Sequence, residues 1–341
     1  MTGNSVYRSS NTSILAVEAV DAPRIVTSAE LDERLDTTYR RVGLRSGMFE
    51  RLVGIRERRW WADGVSYADG AATAGAKAIA ESGVEAAQIG LLVNTSVSRA
   101  HLEPSTAVEV HHALGLAPHC QNFDVTNACL GFVNGMQIAA AMIESGQIEY
   151  ALVVNGEDAR ATQETTLARL SRPEITSADV LDEFATLTLG SGAAAMLLGR
   201  SDRHPGGHRV IGGVTRAGTE HNQLCVGDIE MMRTDSKGLL KAGLELSAAL
   251  WKDAADEFDW AAGMDRYVMH QISQVHTRAL CRTLSIDEAL VPLTFPTHGN
   301  IGPASVPYTL AKEAQELEAG DRVLLMGIGS GLNASCTEIR W

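Results

Sequence analysis

One cysteine follows a strand-like run of residues and directly precedes a helix-like one. The segment FDVTNACLGFVNGMQIAAAMI, residues 123–143, reads as an apolar strand, a polar turn, Cys129 and then a helix rich in small residues. At a helix N-terminus, unpaired N–H groups and the helix dipole favour a thiolate over a thiol. The same N–H groups can bind the oxyanion that forms when a thioester carbonyl is attacked. Taken alone, the segment also fits a buried structural cysteine, the common fate of a free Cys.

Two further polar side chains are expected at the same kind of position. His270 ends the strand-like run YVMH, and Asn300 lies in HGNIGPASVPYTL, a turn rich in Gly and Pro that starts a helix. Active sites of α/β proteins gather at the C-terminal ends of strands. A Cys, a His and an Asn on neighbouring strand ends form a set that can handle thioesters, with Cys129 as the nucleophile. Each residue also has a plain structural interpretation, as a core histidine, a turn asparagine or a packing cysteine.

A basic cluster beside two tryptophans stands out in an acidic chain. Residues 51–61, RLVGIRERRWW, contain four arginines and end at Trp60 and Trp61. Arginines bind phosphate through charge-assisted hydrogen bonds, and an indole offers a stacking face to an adenine. The segment is therefore a candidate site for a phosphate group with an attached adenine. Solvated arginines at a helix end or strand edge are the alternative interpretation.

The elements that must position these residues alternate between short apolar runs and longer amphipathic ones. Such alternation is typical of an α/β fold with largely parallel strands that are buried on both faces. The predicted strands include residues 89–94, 150–156, 193–199, 267–270 and 323–329, and the predicted helices include residues 71–81 and 131–143.

The second part of the chain repeats the order of elements in the first. Residues 88–96 correspond to 264–273, residues 142–156 to 313–329, and residues 189–199 to 328–339. Repeated units in one order indicate a duplicated domain, with an N-terminal half at residues 1–205 and a C-terminal half at residues 206–341. Residues 157–186 have no counterpart and are interpreted as a polar, helical insertion. Such an insertion either shapes a pocket over the strand ends or forms a solvated excursion.

Composition excludes several classes of function. The 341 residues are 45% hydrophobic and carry a net charge of −13, which fits a globular protein and disfavours nucleic acid as a partner. The five cysteines are widely spaced without a CxxC pair, which argues against a disulfide framework and a zinc site. No apolar run approaches the roughly 20 residues of a membrane span, and the polar N-terminal residues show no export signal. The sequence therefore predicts a cytoplasmic protein without a membrane span.

These motifs resemble the β-ketoacyl-ACP synthase III branch of the thiolase superfamily. TNACLGF around Cys129, MHQIS around His270, HGNIGPAS around Asn300 and the closing GIGSGLN carry the resemblance, which runs from the GIRERR segment to Trp341. It implies an α/β thiolase fold with a duplicated, five-layered αβαβα architecture, an obligate dimer and a catalytic triad of Cys129, His270 and Asn300. Cys129 would be acylated, while His270 and Asn300 would stabilise the enolate oxygen of a second substrate.

The resemblance also implies residues that bind the substrate. GIRERRWW matches the segment that binds coenzyme A in that branch, which points to Arg56 and Trp60, and Gly329 of GIGSGLN joins them. The substrates would be coenzyme A thioesters, with no metal and no further cofactor. The family motif HQAN reads HQIS in this chain.

Within this branch, the chain resembles the olefin-biosynthesis condensing enzymes. NTSVSRAHLEPSTA, LTLGSGAAAM and GGVTRAGTEHNQLC carry this closer resemblance. Those enzymes join two fatty acyl-CoAs head to head by non-decarboxylative Claisen condensation, which gives a 2-alkyl-3-ketoalkanoic acid. A plain acyl-CoA must lose an α-proton, so a carboxylate near the thioester is required. Glu103 in LEPST matches the subgroup's base, which enters the active site from the neighbouring subunit, and burial against apolar chains would make it a stronger base.

The sequence thus predicts an acyltransferase that condenses two fatty acyl-CoAs, most simply as a homodimer. Cys129 takes the first acyl chain, Glu103 of the partner subunit deprotonates the second, and water releases the product acid from Cys129. One alternative is a decarboxylating β-ketoacyl-ACP synthase III, which would depend on malonyl-ACP. Another is one subunit of a heterodimer that mainly donates Glu103 to a related chain, as in some β-lactone pathways.

Overall fold

Helices and strands alternate along residues 5–228 and 231–341, the ranges described by the computed structural model of this chain. The strands are β1 (Val6–Arg8), β2 (Thr12–Asp21), β3 (Arg24–Thr27), β4 (Glu57–Trp60), β5 (Ile89–Asn94), β6 (Gln121–Asp124), β7 (Tyr150–Glu157), β8 (Gly192–Arg200), β9 (His208–Ala217), β10 (Cys225–Gly227), β11 (Met232–Thr234), β12 (Arg266–Met269), β13 (Arg322–Gly329) and β14 (Asn333–Arg340). The helices are α1 (Ser28–Val42), α2 (Tyr67–Ser82), α3 (Thr106–Ala113), α4 (Gly131–Glu144), α5 (Arg160–Leu170), α6 (Ser177–Glu183), α7 (Ser236–Ala254), α8 (Gln274–Leu284), α9 (Phe295–His298) and α10 (Ser305–Glu313). Within the described ranges, no helix is both long and apolar enough to cross a membrane.

One large mixed sheet has the strand order β12-β13-β14-β9-β2-β8-β7-β5-β6, and β1 pairs with β9. In its N-terminal part, β5 pairs parallel with β7, and β7 pairs antiparallel with β8. In its C-terminal part, β12 pairs parallel with β13, and β13 pairs antiparallel with β14. The parts join where Ser13 and Ile14 of β2 pair with Arg209 and His208 of β9. This repeated pairing confirms the predicted α/β fold with a duplicated unit, whereas the boundary after residue 205 stays a prediction.

The central strands are apolar because helices cover both faces of the sheet. Every residue of β7 is buried. Val93 and Val153 pack in one core cluster with residues of α4, whereas Leu92 and Leu152 pack in another with residues of α2. Successive side chains of a strand point to opposite faces, so two covered faces require a continuous apolar run. Burial of each such Val or Leu side chain contributes about 1.5–3 kcal/mol.

Helix α2 lies very close to the end of β7. A Cβ atom on Gly156 would lie 1.9 Å from the carbonyl oxygen of Tyr67 in the first turn of α2. Ala71 and Ala74, on the same helix, are fully buried. These small residues let helix and strand approach, and the contact fixes the strand end that carries Glu157.

The segment interpreted as an insertion contains α5 and α6. Leu167, Leu170 and Val180 of this segment share a buried cluster with Tyr39 and Phe49. The segment is therefore packed onto the body of the protein by its own apolar residues. The predicted start of the insertion, at residue 157, needs one correction. Residue 157 is the last residue of the buried strand β7 and precedes the helices.

We expect Gly156→Ala to destabilise the protein, because its Cβ would overlap the Tyr67 carbonyl oxygen. Overpacking of this kind costs about 1–3 kcal/mol or more, since backbone must shift to relieve it. The matched control is Gly206→Ala, because no atom lies within 4 Å of a Cβ at that position. Thermal unfolding followed by circular dichroism checks this. Equal midpoints for the two variants would contradict the close contact between α2 and β7.

Candidate active site

The turn that carries Cys129 is a tight connection between β6 and α4. Strand β6 ends at Asp124, and α4 begins at Gly131. Ala128, directly before the cysteine, has a φ of 46°. This left-handed conformation costs a residue with a Cβ on the order of 1–2 kcal/mol, and such strain clusters at functional sites. The strained turn fixes the direction in which the Cys129 side chain leaves the backbone.

Strand β13, from the C-terminal part of the sheet, lies directly against this turn. A Cβ on Gly329 would lie 2.7 Å from the carbonyl oxygen of Asn127, and one on Gly327 would lie 2.6 Å from Cδ1 of Leu130. The turn is also held by its side chains, since Asn127 Nδ2 donates to Asn134 Oδ1 at 2.9 Å. Gly329 therefore has a structural reason to be glycine. Its contact with coenzyme A stays a prediction.

Burial keeps the thiol of Cys129 protonated. Burial raises the pKa of Cys129 to about 12, and the nearby Glu157 carboxylate and Cys225 thiol add to the effect. These surroundings oppose the thiolate expected at the helix N-terminus, and that thiolate stays a prediction. Helix α4 begins at Gly131, beyond the cysteine, and desolvation disfavours a charged sulfur. The sulfur must lose its proton while it attacks a carbonyl carbon, so the site needs a proton acceptor.

His270 follows β12 and is fixed to the strand that touches the nucleophile turn. Its backbone N–H donates to the carbonyl oxygen of Met326 on β13 at 2.8 Å. The residue is 4% exposed, and burial, together with nearby His276, lowers the pKa of His270 to about 3. The imidazole is therefore neutral at physiological pH, with one nitrogen that donates and one that accepts. Nδ1 has no hydrogen-bond partner among the described residues, so the ring can receive a proton.

Asn300 lies on a turn that is pinned to the loop before β8. Its backbone N–H donates to the Thr188 carbonyl oxygen, and its carbonyl oxygen accepts from the Gly190 N–H, both at 2.9 Å. The side-chain Oδ1 accepts from the Gly302 N–H at 2.9 Å. This bond uses the side-chain oxygen, and the two N–H donors of Nδ2 are groups of the kind that can stabilise a developing negative charge on oxygen. A Cβ on Gly190 would lie 1.9 Å from the carbonyl oxygen of His298, so the two loops meet at van der Waals distance.

Glu157 is a buried carboxylate near the nucleophile that the sequence analysis did not place at the site. Its oxygens accept from the Val97 N–H at 2.8 Å and from the N–H and hydroxyl of Ser98 at 3.0 and 2.6 Å. Burial raises the pKa of Glu157 to about 7, although these hydrogen bonds oppose the effect. A Cβ on Gly302 would lie 3.6 Å from Glu157 Cγ, so the carboxylate borders the Asn300 turn. Its place at the end of an apolar strand is the sequence signal that could have revealed it.

Glu103 lies on the loop between β5 and α3 and is exposed, as are its neighbours Leu102 and Pro104. Leu102 is 88% exposed. A buried setting for the Glu103 carboxylate was expected from the sequence, and the single chain does not provide it. The role of Glu103 as a base therefore stays a prediction that needs a second chain.

The two residues predicted to bind coenzyme A have opposite surroundings. Arg56 is exposed and free to meet a phosphate from solvent. Trp60 is 1% exposed, and its Nε1 donates to Gln163 Oε1 at 2.7 Å. The guanidinium of Arg24 lies 5.0 Å from the indole centroid. Trp60 offers no open face to an adenine in this conformation, because alternation along β4 turns it inward together with Arg58.

Metal binding and cavities are the last two features of the site. Within residues 5–228 and 231–341, no group of three or more His, Cys, Asp or Glu residues is arranged to hold a metal ion. A cavity of about 20 Å³ lies beside His270, with Leu250, Trp251 and Leu284 in its lining. This volume holds about one water molecule.

Two parts of the chain match one protein family. The family described as 3-Oxoacyl-[acyl-carrier-protein (ACP)] synthase III matches residues 123–217, which include Cys129. Its C-terminal domain matches residues 261–341, which include His270 and Asn300. The chain is also 47% identical to the acyl-CoA:acyl-CoA alkyltransferase of Xanthomonas campestris pv. campestris, over 97% of this chain and 99% of that protein. The chain belongs to the 3-oxoacyl-[acyl-carrier-protein] synthase III family.

Membership in this family confirms the predicted thiolase fold and the class of acyltransferase. A crystal structure of a Xanthomonas campestris OleA variant with bound lauric acid and lauroyl-CoA matches with a TM-score of 0.95 and 46% identity, over 97% of this chain and 99% of that one. The β-ketoacyl-[acyl-carrier-protein] synthase III of Rhodospirillum rubrum is 29% identical over 92% of this chain and 94% of that protein. The roles of the individual site residues stay predictions.

We expect iodoacetamide to alkylate Cys129 faster as the pH rises from 5.5 to 8.5, without a plateau. The pKa of the thiol is raised to about 12, so the thiolate fraction grows throughout this range. Peptide mass spectrometry gives the rate at this cysteine. A plateau near pH 7 would show that the thiolate forms in the free protein.

Glu157→Gln should speed this alkylation above pH 7 and have less effect below it. The pKa of Glu157 is about 7, so its charge, which raises the thiol pKa, is present above pH 7 and lost below it. The rate ratio of variant to wild type should therefore rise through pH 7. Glu149→Gln, at an exposed position, is the matched control. A ratio that is independent of pH would indicate altered access to the thiol and contradict the effect of charge.

Proposed function

We propose that this chain joins two fatty acyl-CoAs head to head by non-decarboxylative Claisen condensation. The observation that carries the proposal is the 47% identity, over 97% of the chain, to an enzyme named for acyl-CoA:acyl-CoA alkyl transfer, against 29% for a β-ketoacyl-ACP synthase III. Coenzyme A thioesters are the substrates, and each step below needs only protein side chains and water. The free cysteines favour the reducing cytoplasm as the place of reaction.

The first step transfers an acyl group to Cys129. The sulfur attacks the thioester carbonyl carbon while the neutral His270 ring accepts the thiol proton. The carbon–sulfur bond to coenzyme A then breaks, and the proton passes from His270 to the departing thiolate. The buried Nδ1 of His270, which has no hydrogen-bond partner among the described residues, supports this role as the proton acceptor. The exposed Arg56 is the proposed contact for a phosphate of coenzyme A.

The second step forms the carbon–carbon bond. Glu103 removes the α-proton of a second acyl-CoA, and His270 and Asn300 donate hydrogen bonds to the enolate oxygen. The α-carbon attacks the acyl carbonyl carbon on Cys129, and the bond from that carbon to the Cys129 sulfur breaks. The released thiolate takes up a proton from solvent, and Glu103 returns the α-proton to solvent, which restores both groups. The product is then a 2-alkyl-3-ketoacyl-CoA, because the attack displaces the cysteine. Water hydrolyses this thioester to the 2-alkyl-3-ketoalkanoic acid and coenzyme A. The sequence analysis instead expected water to release the acid from Cys129.

We assign Glu103 to the active site of the neighbouring subunit in a homodimer. Strand β6 is the last strand in the sheet order, and an edge strand can pair with its counterpart in a second copy. The Glu103 loop adjoins the C-terminal end of β6, and Val97, Leu102 and Val108 around it are exposed apolar residues. Burial of this apolar group against a second copy would give the Glu103 carboxylate the dry setting that a base needs.

Two alternatives differ from this proposal in what they require. A decarboxylating β-ketoacyl-ACP synthase III obtains its carbanion by loss of carbon dioxide and needs no base such as Glu103. A base-donating subunit of a heterodimer needs a related chain before any product forms. The purified chain with a single acyl-CoA separates all three.

We expect the purified chain to convert one pure acyl-CoA into a product with the mass of the head-to-head 2-alkyl-3-ketoalkanoic acid. No malonyl donor should be needed, because Glu103 supplies the base. Mass spectrometry of the product checks this. A requirement for malonyl-ACP with release of labelled carbon dioxide would favour the decarboxylating enzyme, and inactivity of the chain alone would favour the heterodimer.

Glu103→Gln should lower condensation by about 10²–10⁴-fold, the usual contribution of a general base. Acylation of Cys129 requires no removal of an α-proton and should persist, so acyl-enzyme should accumulate. Intact-protein mass spectrometry measures the adduct, and Cys129→Ala is the control that cannot form it. Loss of acylation in Glu103→Gln would contradict a role confined to the second step.

Mixed dimers test whether Glu103 acts across the interface. A Cys129→Ala chain paired with a Glu103→Gln chain has one site that lacks both groups and one intact site. Activity should therefore return on mixing, although each parent is inactive. With heterodimers verified by native mass spectrometry, no recovery would show that Glu103 serves its own chain.

A further inference from the structure

The tip of the Glu103 loop is the least enclosed part of the proposed machinery. The loop spans residues 95–105, between the end of β5 and the start of α3. Its tip, residues 101–104, is exposed, and Leu102 is 88% exposed. A catalytic carboxylate must be held in position, because misplacement by about 1 Å can cost about 10²-fold in rate. The placement of Glu103 therefore depends on what holds the two ends of the loop.

One carboxylate bonds to both ends of this loop. Asp124 Oδ2 accepts from Arg99 Nη1 at 3.2 Å, on the side where the loop leaves β5. The same oxygen accepts from the Thr106 N–H at 3.1 Å, and Oδ1 accepts from the Ala107 N–H at 2.9 Å, on the side where α3 begins. Asn94 Nδ2 donates to Oδ1 at 3.1 Å and ties the carboxylate to β5. The two oxygens thus close the base of the loop.

Asp124 also replaces a missing helix cap. Ser105 precedes α3, but its side chain makes no capping hydrogen bond. The first amides of a helix need an acceptor and favour a negative charge. The Asp124 side chain is 9% exposed, so its four hydrogen bonds are largely shielded from water. A charge-assisted bond in such a setting is stronger than one between neutral groups.

Asp124 is five positions before Cys129 in the sequence but does not bond to the nucleophile turn. Its four partners are Asn94, Arg99, Thr106 and Ala107. They belong to β5, the Glu103 loop and α3. The side-chain hydrogen bonds of Asp124 thus lead to the Glu103 loop and its two flanking elements.

We propose that Asp124 is a positioning residue that closes the base of the Glu103 loop and so holds Glu103 in the active site of the neighbouring subunit. The inference rests on the proposed function, because it needs Glu103 to act as a base across an interface. Asp124 would then serve the condensation step of the other subunit, although it lies five positions before the nucleophile of its own chain.

The first experiment replaces Asp124 with Asn in the full chain. The amide cannot accept from both backbone N–H groups, and it lacks the charge that pairs with Arg99. We expect condensation to fall by about 10²-fold, while acylation of Cys129, read by intact-protein mass spectrometry, remains within about twofold of wild type. Asp287→Asn is the matched control, because Asp287 also accepts from a backbone amide, that of Ala289, in a different part of the fold. Equal loss of acylation and condensation in Asp124→Asn would overturn the proposal.

The second experiment asks which chain carries the defect. An Asp124→Asn chain is mixed with a Cys129→Ala chain: the remaining cysteine then meets Glu103 on an intact loop, and activity should return. The same variant is mixed with a Glu103→Gln chain: every remaining Glu103 is then on a loosened loop, and activity should stay low. The opposite pattern would show that Asp124 acts on its own Cys129 and would overturn the proposal.

Two controls complete the design. Mixing Cys129→Ala with Glu103→Gln must restore activity; if it does not, the cross-subunit function itself fails, and that failure is distinct from a failure of Asp124. Arg99→Gln removes only the ion pair of Asp124 and keeps both amide bonds, so it serves if Asp124→Asn does not fold. We expect Arg99→Gln to lose less condensation activity than Asp124→Asn. Its activity should likewise return on mixing with Cys129→Ala and stay low on mixing with Glu103→Gln. Recovery of its activity with Glu103→Gln and not with Cys129→Ala would contradict the role of the loop base.

Discussion

The contact between strand β13 and the turn before α4 holds the two halves of this chain in register at the candidate active site. Neither Gly327 nor Gly329 has room for a Cβ atom at this contact. Because β12 pairs with β13, the same contact sets the position of His270 relative to Cys129. A duplicated fold places its strand ends at one edge of the sheet, but only such close packing brings side chains from both halves into one site.

Burial then sets the charge state of the site. It raises the pKa of Cys129 to about 12 and that of Glu157 to about 7, and it lowers the pKa of His270 to about 3. All three shifts favour the neutral form, as desolvation does. In the proposed mechanism, a neutral thiol gives its proton to a neutral imidazole as the bond to carbon forms. The charge that develops on oxygen in the transition state then meets fixed N–H donors instead of a competing thiolate.

Sequence periodicity was sufficient for the α/β class, because helices and strands follow local patterns, whereas the thiolase fold was inferred from the family resemblance. The apolar run at 150–156 became β7, and the small-residue pattern after Cys129 became α4. Other features depend on the three-dimensional surroundings of a residue. The pKa of Cys129 depends on how much solvent the surrounding chain removes, and the burial of Trp60 depends on which face of β4 is covered. Glu157 was assigned to the insertion because a carboxylate at the end of an apolar run looks like the start of a loop.

Asp124, which closes the base of the Glu103 loop, also helps to distinguish a subunit that donates the base from a subunit that carries the acyl group. In the proposed dimer, Cys129 and Glu103 of one chain serve different active sites, and Asp124 belongs functionally with Glu103. A subunit that only donates a base needs Glu103 and Asp124 but can lose Cys129. A subunit that only carries the acyl group needs Cys129 and His270 but can lose Asp124. This chain retains all four residues, which is what a homodimer with two complete sites requires.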